Sequence, residues 1–123
     1  LPLRNTAHFQ YIKQSELESL MEKQQPLFPP NKSQLEKLSD LHKAMGDRTR
    51  MEILWKLMKH QYCVSALAKE VQLTESAVSH QLRILKIARL VRSYKKGKNV
   101  FYVLEDEHIK WILEETFTHI LEL

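Results

Sequence analysis

The stretch Leu73-Thr-Glu-Ser-Ala-Val-Ser-His-Gln-Leu-Arg-Ile-Leu-Lys86 decides how this chain of 123 residues is read. Thr74 is a good helix N-cap, because its hydroxyl can accept from an unpaired N–H of the first turn. Behind it, Ala77, Val78, Leu82 and Leu85 recur at helical spacing and share one face. Ser76, Ser79, His80, Gln81, Arg83 and Lys86 fall largely elsewhere, so a short helix with a polar outer face is expected to about Ala88. Upstream, Val64–Val71 forms a second short helical segment, and Gln72-Leu73 is a tight connection. Two short helices joined so closely make a helix-turn-helix.

Downstream, Leu90–Tyr94 and Asn99–Leu104 read as strands, with Lys95-Lys-Gly97-Lys98 as the hairpin tip and Gly97 supplying a positive φ. No acidic residue occurs from Ser76 to Leu104, whereas Arg83, Lys86, Arg89, Arg92, Lys95, Lys96 and Lys98 all lie there. A basic hairpin after a helix-turn-helix is a winged helix-turn-helix pattern. Its second helix fits a DNA major groove about 12 Å wide. Ser76, Ser79, His80, Gln81, Arg83 and Lys86 have the chemistry to meet base edges or phosphates. Lys95, Lys96 and Lys98 suit phosphate or minor-groove contacts, which supply affinity more than sequence reading. Tyr94, Phe101 and Tyr102 are expected to pack the hairpin rather than stack on bases.

Outside this region the chain is also mainly helical. Residues 1–30 read as an arm with one short helix from Ser15 to about Gln25, broken by Pro26-Leu-Phe-Pro-Pro30. Residues 31–123 read as the winged domain. A helix begins at Asn31 or Ser33 and carries Leu35, Leu38, Leu41 and Met45. Gly46 ends it, and Asp47 caps the next, with Met51, Ile53, Leu54, Leu57 and Met58 as its apolar stripe. Asp106 caps the last helix, and Glu107 suits its positive end. Only two glycines leave little material for phosphate-cradling loops. One cysteine excludes an internal disulfide framework. At 43% hydrophobic and 28% charged residues the composition is that of a globular domain. No apolar run approaches a membrane span and no signal-peptide pattern is visible, so a cytoplasmic location without membrane contact is expected.

Taken together, Leu73–Lys86, Asp47-Arg-Thr-Arg-Met-Glu-Ile-Leu54, Tyr62-Cys-Val-Ser-Ala-Leu-Ala68 and Lys96-Gly-Lys-Asn-Val-Phe-Tyr102 resemble the ArsR/SmtB family of bacterial metal-sensing repressors. The resemblance runs in order from about Leu35 to Leu123. It implies a homodimer on an imperfectly palindromic operator, with metal lowering DNA affinity and derepressing efflux or homeostasis genes. A palindrome also calls physically for a two-fold pair of recognition helices. The first and last helices are the natural interface, where Trp111, Ile112, Phe117 and Ile120 offer apolar surface.

His108 and His119 are eleven residues apart, close to three full turns, and so lie on one side of the last helix. The rise separates them by about 16 Å, whereas ligand bonds to zinc are about 2 Å. One helix cannot bring both to one ion; two antiparallel copies can. Asp106 and His108 of one copy would face His119 and Glu122 of the other, and all four match ligand positions of the family's site on this helix. Two imidazoles and two carboxylates suit Zn(II), with Co(II) a substitute. By the same resemblance, a second nitrogen of ligated His119, hydrogen-bonded to backbone near the recognition helix, is the relay. Glu115 lies near the stripe and reads as surface or interface. The family's cysteine-based site fails on ligand count: Cys63 retains one thiol, and His8 is the arm's one histidine. Cys63 is expected to be a small buried residue. His42 and His60 read as surface groups.

No enzyme is expected. Four protein ligands leave zinc no open position for water, and no HExxH or Ser-His-Asp arrangement occurs. The alternatives are a regulator of the same fold with a non-metal inducer or none, and a protein-interaction module without DNA activity.

Overall fold

The computed structural model describes Ser15, Glu16, Ser19 and residues 29–122. Those first three residues are helical, and the remainder of the expected Ser15–Gln25 helix lies outside the described residues. From residue 32 onward the order is α1 (Lys32–Met45), α2 (Arg48–Leu57), α3 (Val64–Val71), α4 (Glu75–Ile87), β1 (Val91–Lys96), β2 (Asn99–Leu104) and α5 (Glu107–Leu121).

Local chemistry starts most of these helices. Asn31 begins α1 in a capping box: its side chain accepts from the Gln34 N–H, and the Gln34 side chain accepts from the Asn31 N–H. Asp47, Thr74 and Asp106 each accept from the N–H three residues on, at 3.0, 3.1 and 3.2 Å. The helix-turn-helix corner is made by Gln72, which closes α3 at φ 57, ψ 46. The N–H groups of Gln72 and Leu73 then bond Lys69 O and Ala68 O, which satisfies the last carbonyls of α3. Arg89 repeats the device at φ 61 after α4, with Arg89 N–H on Lys86 O and Leu90 N–H on Leu85 O.

The strands form one antiparallel ladder from Val91↔Leu104 to Lys96↔Asn99. The hairpin tip is therefore shorter than expected: Lys95 and Lys96 are paired, and only Gly97-Lys98 turns the chain. Gly97 sits at φ 64, which a two-residue hairpin with glycine first requires. Tyr94 and Phe101 are ladder partners and stack with ring centroids 5.9 Å apart. Tyr102 exchanges backbone hydrogen bonds with Tyr62, at 2.8 and 3.3 Å, and packs on the core. These rings serve packing, as expected.

Ile53, Leu54, Leu67, Val78, Leu82, Leu85, Leu90, Val91 and Leu113 are fully buried, so one core joins α2, α3, α4, the base of the wing and α5. Helix α4 is thereby held by its Val78/Leu82/Leu85 face, leaving the opposite face in solvent. Apolar exposure concentrates on α1 and α5: Leu35 is 53% exposed, Leu38 45%, Phe117 48% and Ile120 63%. Ile112, by contrast, packs on the protomer's own core, and Phe117 meets Trp55 edge to face at 5.2 Å.

Candidate nucleic-acid interface and metal centre

On α4, Ser76, Ser79, His80, Arg83 and Lys86 are all exposed. Gln81 is not with them. Ala77, Gln81, Ile84 and Ala88 follow helical spacing along a half-buried flank. There the Gln81 Oε1 accepts from Arg50 Nη1 at 3.0 Å. Lys86 reaches the wing, donating from Nζ to Ser93 Oγ at 2.8 Å, which links the recognition helix to β1. Lys95, Lys96 and Lys98 are exposed around the hairpin turn. Helix α4 and the wing are thus linked, and each carries exposed polar and cationic side chains.

Arg50, which holds Gln81, is a residue that sequence reading did not single out. Its signal was present: α2 opens with Arg48 and Arg50 and has no acid in its first turn. Cations are disfavoured at the positive end of a helix, so such a residue needs a specific partner.

Helix α5 carries the four expected metal ligands at its two ends. Asp106 is the N-cap and Glu122 the C-cap. His108, His119 and Glu122 are exposed. Asp106 Oδ1 stands 3.5 Å from His108 Nδ1 while also accepting from Ile109 N–H. Desolvation pushes the Asp106 carboxyl up. The Ile109 N–H and the hydrogen bond and charge of His108 together outweigh it, leaving the carboxyl below the ordinary aspartate value. Within one copy, no three His, Cys, Asp or Glu side chains converge among the described residues.

The donor set passes a simple test of fit. Two ligands on a tetrahedral zinc, each about 2 Å from it, lie roughly 3.3 Å apart, and Asp106 and His108 already have that spacing. Glu115, between the two ends, is half-buried and its Oε1 is enclosed with no hydrogen-bond partner among the described residues.

Cys63 departs from expectation. It is half-buried, not buried, because it stands at the N-cap of α3, before the helix's buried face begins at Leu67. Its Sγ lies 3.4 Å from Ser65 Oγ, and this contact, with help from backbone N–H groups, lowers the thiol pKa.

Residues 47–93 match the model of the bacterial regulatory protein, arsR family. A transcriptional repressor SmtB homolog from Synechocystis sp. is 37% identical over 89 residues, which span 72% of this chain and 67% of that protein. A cadmium resistance transcriptional regulatory protein CadC homolog from Staphylococcus aureus is 35% identical, over 67% of this chain and 69% of its own length. The fold matches that of a homodimeric winged helix-turn-helix DNA-binding domain from Mycobacterium bovis, with a TM-score of 0.64 at 22% identity, covering 72% of this chain and 80% of that one. From the helix-turn-helix, its basic wing and these relatives, the chain belongs to the ArsR/SmtB family of bacterial winged helix-turn-helix transcriptional regulators.

Proposed function

We propose that the protein is a homodimeric, zinc-responsive repressor whose metal sites are shared between two copies of α5. The observation that carries this reading is the division of ligands along one helix. Asp106 and His108 are spaced as two ligands of one ion. His119 and Glu122 lie exposed at the far end, beyond reach of the same ion. An antiparallel pair of α5 helices completes each half-site with the other copy's second half. The exposed apolar groups of α1 and α5 are where such a pairing would bury surface.

Asp106 and His108 of one copy with His119 and Glu122 of the other would hold the zinc, which when bound would supply a cross-link between the copies. The chain's own residues do the rest. Ser76, Ser79, His80 and Arg83 face the groove, and Lys86, Lys95, Lys96 and Lys98 hold phosphates. Fixing the two α5 helices sets the separation of the two α4 helices, which must match half-sites one helical turn apart. Metal and DNA then prefer different arrangements of one dimer, and each weakens the other's binding by the same factor.

The test is a zinc titration of the dimer bound to the promoter of its own gene, with bound metal counted in parallel. Release of DNA as zinc fills one site per chain is the expected result. Tight DNA binding that zinc leaves unchanged overturns the metal reading in favour of a regulator of this fold with another inducer or none.

A further inference from the structure

Arg50 is a guanidinium with 17% of its side chain exposed, and its donors point in three directions. Nε bonds Ala44 O at 2.7 Å, and Nη2 reaches Lys43 O at 3.5 Å. Both are carbonyls of the last turn of α1, and Lys43 O also accepts from the Gly46 N–H at 3.2 Å. Nη1 bonds Gln81 Oε1 on α4 at 3.0 Å and lies 4.0 Å from Asp47 Oδ2. Asp47 is itself fixed, because it caps α2 through the Arg50 N–H. One side chain, anchored at the start of α2, thus joins the end of α1 to the middle of α4.

Chemistry determines which end of the Gln81 amide takes part. A guanidinium has donors only, so it must meet the oxygen. Reading adenine through a glutamine needs both the oxygen as acceptor and the nitrogen as donor. With its oxygen held by Arg50, and its place on the half-buried flank, Gln81 is not arranged for that contact.

We propose that Arg50 is a positioning residue for the DNA-reading helix, acting through Gln81, and that it transmits displacements of α1 to α4. The principal neighbours of α1 are α2 and α4, and Leu35 and Leu38 on α1 are exposed. A shift of α1 against a second copy therefore moves Lys43 and Ala44 O, and with them the guanidinium that holds Gln81. The inference rests on the DNA-binding reading but not on zinc.

The experiment uses the full chain. The wild type selects an operator from randomised duplex DNA. The ratio of operator to non-specific affinity is then measured at one salt concentration for Gln81→Met, Gln81→Glu, Arg50→Met and Arg50→Met/Gln81→Met. Melting temperatures and the Arg50 Nε–H NMR signal without DNA are recorded alongside. Gln81→Met is expected to lower the ratio about tenfold, the size of one hydrogen bond to a charged group, with melting little changed. Gln81→Glu is expected to keep the ratio, because its carboxylate accepts the same bond and its added charge affects both affinities alike. The double variant is expected to be no worse than Arg50→Met. A ratio as damaged by Gln81→Glu as by Gln81→Met would mean that Gln81 touches bases, and would overturn the inference. So would a ratio unmoved by Gln81→Met, or an Arg50 signal identical in wild type and Gln81→Met. A wild type that selects no sequence defeats the DNA-binding reading and this inference with it, whatever the Arg50 signal shows.

Discussion

Asp106 Oδ1 and His108 Nδ1 are 3.5 Å apart at the start of α5, while His119 lies about 16 Å further along the axis. A site assembled from opposite ends of two helices predicts complementation. His108→Ala and His119→Ala homodimers each lack one ligand in both sites. A mixed dimer of the two variants places both lesions in one site and leaves the other intact. Zinc binding and zinc-induced DNA release are therefore expected to be lost in either homodimer and partly recovered on subunit exchange. Absence of recovery, with exchange verified by mass spectrometry, would rule out a shared site. Glu115→Gln serves as the control, since Glu115 belongs to neither half-site.

The Asp106 cap gives a pH prediction in the metal-free protein. Its carboxyl titrates below the ordinary value of 3.8 in the folded chain. A carboxyl with a depressed pKa stabilises the fold above its ordinary value, and that stabilisation is lost as pH falls through the depressed one. Asp106→Asn keeps an acceptor for the Ile109 N–H but does not titrate. The wild type should be the more stable at neutral pH, with the gap closing as pH drops below about 3.8. Chemical denaturation across pH measures it, and a gap that stays constant into strong acid would contradict the cause assigned.

How much of this was legible beforehand depends on how local each cause is. The caps at Asp47, Thr74 and Asp106 act over three residues and were readable from residue type and position, whereas Asn31 and Ser33 both stood open for α1 until the capping box decided it. The order of helices and the wing followed from apolar spacing. The hairpin tip was read too long because pairing of Lys95 and Lys96 depends on their partners Val100 and Asn99, not on their own charge. Cys63 was misread because it caps α3 and does not lie on that helix's buried face, which residue type alone does not announce. The Arg50–Gln81 bond spans thirty-one residues, and nothing near either one announces the other. The separation of His108 and His119 along α5 was readable because helical rise alone sets it.

Gln72 holds a left-handed backbone at the helix-turn-helix corner, a conformation costly for any residue with a Cβ. Gln72→Gly should stabilise the domain by about 0.5–1 kcal/mol, the gain in the native turn exceeding the added freedom of the unfolded chain. A β-branched Gln72→Val should do the opposite. Thermal melts compare the three, and a Val variant as stable as wild type would show that this corner is not strained.

Cys63 should behave as an activated thiol. The Ser65 hydroxyl lowers its pKa, and the side chain is half-exposed. The thiolate is the reacting form, so alkylation by iodoacetamide should show a midpoint below the ordinary thiol range. Ser65→Ala should raise that midpoint. A midpoint that Ser65→Ala leaves in place would assign the shift to the backbone N–H groups of α3 instead.

The wing and the recognition helix should fail in different ways. Lys95, Lys96 and Lys98 are exposed around the hairpin turn. Each phosphate contact releases condensed counterions and contributes about −0.9 to the slope of log K against log salt. Replacing all three by Gln removes six lysines from a dimer, and should weaken operator and non-specific DNA alike and reduce the slope by up to about 5. Arg83 is exposed on α4 and can donate two bonds to guanine. Arg83→Ala should therefore cost about 1–3 kcal/mol per operator half-site and far less on non-specific DNA, relaxing preference at one base pair in each half-site. The two losses separate in a binding series run at several salt concentrations on both DNAs. A slope unchanged by the triple substitution would remove the wing from the phosphates. An Arg83→Ala loss equal on both DNAs would make that residue a phosphate clamp rather than a reader.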